Sequence, residues 1–126
     1  MNLVDQLQIQ YVNLTDTGFE SAMELSAFHA QPFGYLNGGA TIAFCEAIAG
    51  MASNRMGQGA YVGVGQTVTA HHLQAMKAEG VLKATGTLLH GGKRNHVWEI
   101  VLTNEAGQRI SQVTVVNALI NMAKKD

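Results

Sequence analysis

The chain has 126 residues, 47% of them apolar and only 13% charged, with a formal net charge of -1. That size fits one domain spanning residues 1–126, and the eight basic residues are scattered apart from Lys93-Arg94 and Lys124-Lys125, which argues against nucleic acid as a partner. So few charges leave little polar surface to cover a small domain, so further area is expected to be hidden between subunits.

The first residues, MNLVDQLQIQ, carry Asp5 and three glutamines where an export signal would need a basic end and an unbroken apolar run. A cytoplasmic location is expected, and a single cysteine, Cys45, suits a reducing compartment. Residues 2–10 read as a short helix, and Phe19, Met23 and Leu25 suggest a strand. Residues 38–54, GGATIAFCEAIAGMASN, set Ala40, Ala43, Phe44, Ala47 and Met51 at helical spacing, with Ile42, Ala49 and Ala52 filling much of the remainder. A helix apolar nearly all round is buried on more than one side. It is also shorter than the ~20 apolar residues of a membrane span and is interrupted by Glu46, so no membrane partner is expected.

After a turn marked by Gly57, Gly59 and Gly63, four alternating runs follow. They hold Val62, Val64, Val68 and Ala70; Leu82, Ala84, Gly86 and Leu88; His96, Trp98, Ile100 and Leu102; and Val113, Val115 and Leu119. The second and third are separated by His90-Gly91-Gly92-Lys93, the third and fourth by Asn104-Glu105-Ala106-Gly107. The order α, β, α and then four strands predicts an α+β fold whose sheet covers its apolar face with the long helix.

Several side chains stand out chemically. Burying a lone carboxylate is costly, so Glu46 in a greasy helix is expected either to reach the surface or to serve a site that needs a charge in a dry place. Gly38 and Gly39 open that helix, where the first N–H groups lack intrahelical partners and a substrate can approach the backbone closely. Cys45, among Ala and Phe with no cation evident nearby, reads as a packing residue. His71 and His72 are adjacent on a strand, so they point to opposite faces, and no metal site is expected. His29 reads as a loop residue.

The stretches Gln31-Pro32-Phe33-Gly34, Asn37-Gly38-Gly39-Ala40, Glu46, His71-His72 and Leu89-His90-Gly91-Gly92-Lys93-Arg94-Asn95-His96-Val97-Trp98 resemble the hotdog-fold acyl-CoA thioesterases of the 4-hydroxybenzoyl-CoA and phenylacetic-acid-degradation type. The likeness runs in order from about residue 19 to residue 120. It implies five or six antiparallel strands curled around the long helix, homodimers joined by strand pairing, dimers of dimers, and active sites shared between two subunits. It also implies roles: Glu46 as general base or nucleophile, the Gly38 amide as oxyanion donor, and Gln31 beside the thioester. Gly39, His72, His90, Gly92, Lys93, Arg94 and Asn95 would line the path of substrate and coenzyme A, which is part of the substrate, and no separate cofactor is implied. Two positions depart from the pattern. Asn37 stands where many relatives carry His and cannot take up a proton near neutral pH, and Gly50 stands where relatives often carry Ser or Thr.

The expected function is hydrolysis of an aromatic or short- to medium-chain acyl-CoA, or of an acyl carrier protein ester, with the acyl part near Ile42, Phe44 and Met51. Two other functions compete. A hydratase or dehydratase of the same fold would need a histidine such as His29 to converge with Glu46, and a non-catalytic acyl-CoA-binding protein would need neither.

Overall fold

The computed structural model describes residues 1–122; the Lys124-Lys125 pair lies outside them. A short helix α1 (Leu3–Leu7) opens on a capping box between Asn2 and Asp5 and ends where Gln8 turns left-handed, at φ 63°. The helix expected over residues 2–10 therefore stops early, and the chain continues as a strand, β1 (Ile9–Leu14), that the sequence pattern did not reveal. The reason is burial: Val12 alone of its six residues is buried, so no alternation shows. Then come β2 (Gly18–Leu25), a 3-10 turn (Ala27–His29), the long helix α2 (Gly38–Gly57), and four strands, β3 (Tyr61–His72), β4 (Gly80–Gly91), β5 (Asn95–Thr103) and β6 (Arg109–Asn121). The α+β reading holds, with six strands. His90 and Gly91 belong to β4, so the turn to β5 is shorter than expected.

All six strands form one antiparallel sheet in the order β1-β2-β4-β5-β6-β3. Strands at both edges, β1 and β3, touch α2, as do β2, β5 and β6 between them, so the sheet curls around the helix. Phe44, Cys45, Ile48, Ala49 and Ala52 of α2 are buried against Phe19, Met23, Leu82, Trp98, Ile100, Val113 and Val115. Fully burying a large apolar side chain stabilises by about 1.5–3 kcal/mol. Phe44 is among these, so it packs the core and cannot line an acyl pocket as expected. Burial pushes the Cys45 thiol pKa up, in keeping with a packing role. No helix among the described residues is long and apolar enough to cross a membrane.

One correction concerns β3. Strict alternation would put Val62, Val64, Val68 and Ala70 on one face, but the ladder with β6 slips between Gly65 and Thr67, leaving Gln66 as an extra residue. A bulge reverses which side chains face inward. Gly63 and Gly65 therefore face α2 before it, Val68 and Ala70 pack on the core after it, and Val64 is exposed.

Candidate active site

The N-terminal end of α2 is organised by Asn37. Its side-chain Oδ1 accepts from the Gly39 N–H at 2.7 Å, and its carbonyl accepts from the Ala40 and Thr41 amides. Of the first four helical amides this leaves Gly38 N–H without a hydrogen bond among the described residues. An added Cβ at Gly38 would lie 2.6 Å from His72 Nε2, so only glycine lets the ring sit over the helix end. The other ring nitrogen, His72 Nδ1, is 2.8 Å from Ser111 Oγ on β6. Gln31, Gly38, Thr41, His72 and Ser111 line one cleft of about 450 Å³ together with Tyr35, Leu36, Met76 and Ile110.

Gln31 enters that cleft from a tight loop. Its Oε1 accepts from the Phe33 and Tyr35 amides at 2.5 and 3.2 Å, which fixes the side chain; its Nε2 makes no hydrogen bond among the described residues. A free amide donor thus stands in the same cleft as a free backbone donor. Such pre-oriented donors suit the oxygen of a tetrahedral intermediate. Gly39, expected to contact substrate, has its amide committed to the helix cap.

Glu46 is elsewhere. Eight residues along α2 correspond to a rise of about 12 Å, so one chain cannot bring this carboxylate to the Gly38 amide. The acid is exposed and makes no hydrogen bond or ion pair with a described residue. The dry surroundings expected of it are not supplied by a single chain, because the strand beside it, β3, is an unpaired edge. The carboxylate lies on Gly65, whose missing side chain leaves the room it occupies. Next to it, Asn95 Nδ2 donates to Gln66 Oε1 at 3.2 Å and to the Asn117 carbonyl at 3.4 Å, tying the β4–β5 hairpin to the bulge. Asn95, expected as a coenzyme A contact, therefore spends its donors on structure. Lys93 and Arg94 at the hairpin tip are exposed, and the His90 ring lies over Gly92.

About two turns further along α2, a buried polar cluster pins the helix to the sheet. Ser53 Oγ accepts from Trp98 Nε1 at 2.9 Å and Asn117 Nδ2 at 3.0 Å, so its proton is left for His96 Nδ1 at 2.7 Å. Burial first, and the neighbouring His90 second, hold the His96 pKa below its ordinary value. His29 is likewise structural: it is fully buried, Nε2 donates to the Leu7 carbonyl at 2.8 Å and Nδ1 accepts from the Ser26 amide at 3.0 Å. It cannot meet Glu46, which removes the geometric basis of the hydratase reading. His71 and His72 are both exposed, with the His72 ring set against the start of the helix at Gly38.

The thioesterase superfamily model matches residues 33–111. The proofreading thioesterase EntH of Cronobacter turicensis is 35% identical over 107 residues, covering 85% of this chain and 77% of the relative. The chain belongs to the thioesterase superfamily. It is a thioester hydrolase with the hotdog fold. The 1,4-dihydroxy-2-naphthoyl-CoA hydrolase of Escherichia coli is 29% identical over 119 residues, 94% of this chain and 87% of that one. A solved structure of yhdA, a thioesterase candidate from Lactococcus lactis, superposes with a TM-score of 0.93 at 53% identity and covers 96% of this chain and 99% of its own.

This thioesterase thus divides its expected site residues into two groups. Gln31, Asn37, Gly38, Gly39 and His72 meet at the start of α2, whereas Glu46 keeps company with the bulge and, through Asn95, with the His90–Asn95 hairpin. Sequence reasoning missed Thr41, Ser111 and Gly65. Helical spacing from Gly38 could have pointed to Thr41; Ser111 and Gly65 join the site through strand register, which no local pattern displays.

Proposed function

We propose that the protein hydrolyses the thioester of an aromatic or short- to medium-chain acyl-CoA at a centre completed by two subunits. The observation that carries this reading is the unengaged Gly38 amide sharing a cleft with the unengaged Gln31 amide nitrogen. Twelve residues of β3 form a sheet edge with no Lys, Arg, Asp, Glu or Pro to deter pairing, whereas the opposite edge, β1, is half as long. A two-fold axis near Ile42 on α2, and between Val68 and Thr69 on β3, lies midway between Gly38 and Glu46 and midway between Gly65 and His72. Pairing two β3 edges about that axis brings the acid of one subunit to the amide of the other and covers it from solvent.

In that centre the carbonyl oxygen takes the Gly38 N–H, with Gln31 Nε2 near the thioester and the His72 ring against its flank. Glu46 removes a proton from water, whose oxygen attacks the carbonyl carbon. The tetrahedral intermediate collapses, the C–S bond breaks, and the coenzyme A thiolate leaves and takes up that proton. Direct attack by the carboxylate, followed by hydrolysis of the anhydride, gives the same products. Asn37, capping Gly39, is a neutral support for the donor amide. Lys93 and Arg94, with His90 and Gly92 at the same turn, face the phosphates of coenzyme A. A cleft of about 450 Å³ with the exposed rings of Phe33 and Tyr35 at its loop suits an aromatic or modest acyl group. The coenzyme A ester named for the Escherichia coli relative supports this class.

Free-thiol release across aromatic, short-chain and long-chain acyl-CoA and acyl carrier protein esters tests reaction and substrate together. Release is expected from aromatic or short- to medium-chain esters, and Glu46→Gln should lower kcat by about 10²–10⁴-fold. Silence of the wild type on every ester, or a gained or lost double bond without thiol release, overturns the reading.

A further inference from the structure

Thr41 has no role in the account so far, yet its surroundings are unusual for a hydroxyl. The residue is 1% exposed, lies in the first turn of α2 three positions after Gly38, and lines the same cleft as Gly38, Gln31 and His72. Its amide bonds the Asn37 carbonyl, but its Oγ1 makes no hydrogen bond with any described residue. Asn117 Oδ1 is the one side-chain oxygen or nitrogen among the described residues that is both sealed from solvent and unbonded, so Thr41 Oγ1 must open onto the cleft. A hydroxyl on so buried a residue, turned to a cleft and left without a protein partner, calls for an explanation.

Helical side chains lean toward the N-terminus, and positions three apart share a face. The Thr41 side chain thereby leans back toward the turn that begins with the free Gly38 amide. From this we infer that Thr41 is a further catalytic residue, its hydroxyl donating a second hydrogen bond to the thioester oxygen beside Gly38 N–H. The bond strengthens as charge gathers on that oxygen and is absent from the resting enzyme, which accounts for a donor kept unpaired. Gly50, one turn beyond Glu46, offers no side chain that could do this work. The inference rests on the proposed use of Gly38 as oxyanion donor.

The decisive comparison is Thr41→Val, Thr41→Ser and Glu46→Gln with the wild type, read by steady-state thiol release and thermal melting. Valine keeps the shape and removes only an unbonded hydroxyl, so a purely structural threonine predicts unchanged activity and equal or better stability. We expect the melting temperature to hold or rise while kcat falls about 10²-fold with KM little changed. Serine, which retains the hydroxyl, should keep most of kcat. Full activity in Thr41→Val overturns the inference, as does a rise in KM with kcat intact, which would mean ground-state binding alone. If Glu46→Gln is inactive while Thr41→Val is unaffected, only this inference fails. If Glu46→Gln is fully active while Thr41→Val is impaired, the acid's role falls and the threonine's stands.

Discussion

The first turn of α2 and the stretch around Glu46, midway along the same helix, differ in how far one chain completes them. The first turn is finished: Asn37 caps it, Gln31 is locked by its own loop, His72 is seated against Gly38, and Gln31, Gly38 and His72 line one cleft. The stretch around Glu46 is well anchored from below, by Ser53, Asn117 and the bulge, but bare above, where the acid has neither partner nor cover. Donor groups can be preorganised within a chain because backbone and cap supply them at little cost. A carboxylate held in low dielectric without its substrate would be protonated or destabilising, so leaving its cover to another subunit avoids that cost in the monomer.

The largest effect that could break this contrast is complementation. Glu46→Gln and Gln31→Ala are each expected to be nearly inactive as homodimers. If the site takes its acid from one chain and its donors from the other, mixed dimers carry one intact site. Co-refolded equimolar mixtures should then recover to about a quarter of wild-type activity. No recovery, with heterodimers verified by mass, would place both groups in one chain's site and refute the shared centre.

Next in size is the seat of the acid. Gly65→Ala puts a methyl group where the carboxylate lies, and displacement by about an ångström should cost kcat about 100-fold with the melting temperature little changed. The shorter acid in Gly65→Ala/Glu46→Asp should recover part of that loss relative to Gly65→Ala. Ser53→Ala tests the helix anchor: it strands Trp98 Nε1 and His96 Nδ1 and leaves Asn117 Nδ2 only its bond to the Ala49 carbonyl, and chemical denaturation should show a loss of about 2–3 kcal/mol.

Smaller effects sharpen the picture at its edges. Lys93→Ala/Arg94→Ala should raise KM for acyl-CoA several-fold while leaving kcat alone, and added salt should shrink the difference, since both cations are exposed. His96 gives a pH signature. Its folded pKa lies below the ordinary 6.5, so above that value the native and unfolded states are both neutral at this ring. As pH falls through and below 6.5 the unfolded state binds the proton first, and stability declines until the folded pKa is passed. His96→Gln should flatten that acid limb of the melting temperature; an unchanged limb would assign it to other groups.

Much was legible in the sequence because it is local. The apolar run of α2, the glycine pair that opens it, the period of β4 to β6 and the turns between them follow from side-chain spacing and backbone freedom. The stretches from Gln31-Pro32 to Val97-Trp98 carried the family resemblance, and the match of the family model over residues 33–111 bears out the family. Other features were hidden by the same logic. β1 shows no alternation because five of its six residues escape full burial, and the Gln66 bulge reverses the faces of β3 without leaving a mark in hydropathy.

What only the tertiary structure decided is which of the named residues meet. A helix fixes the rise between Gly38 and Glu46, and strand register fixes His72 over one and Gly65 under the other; neither distance is a property of residue type. The sequence determined that a carboxylate and free amides share one helix. The folded chain determined that they are too far apart to share one carbonyl, because eight residues of helix are long and stiff.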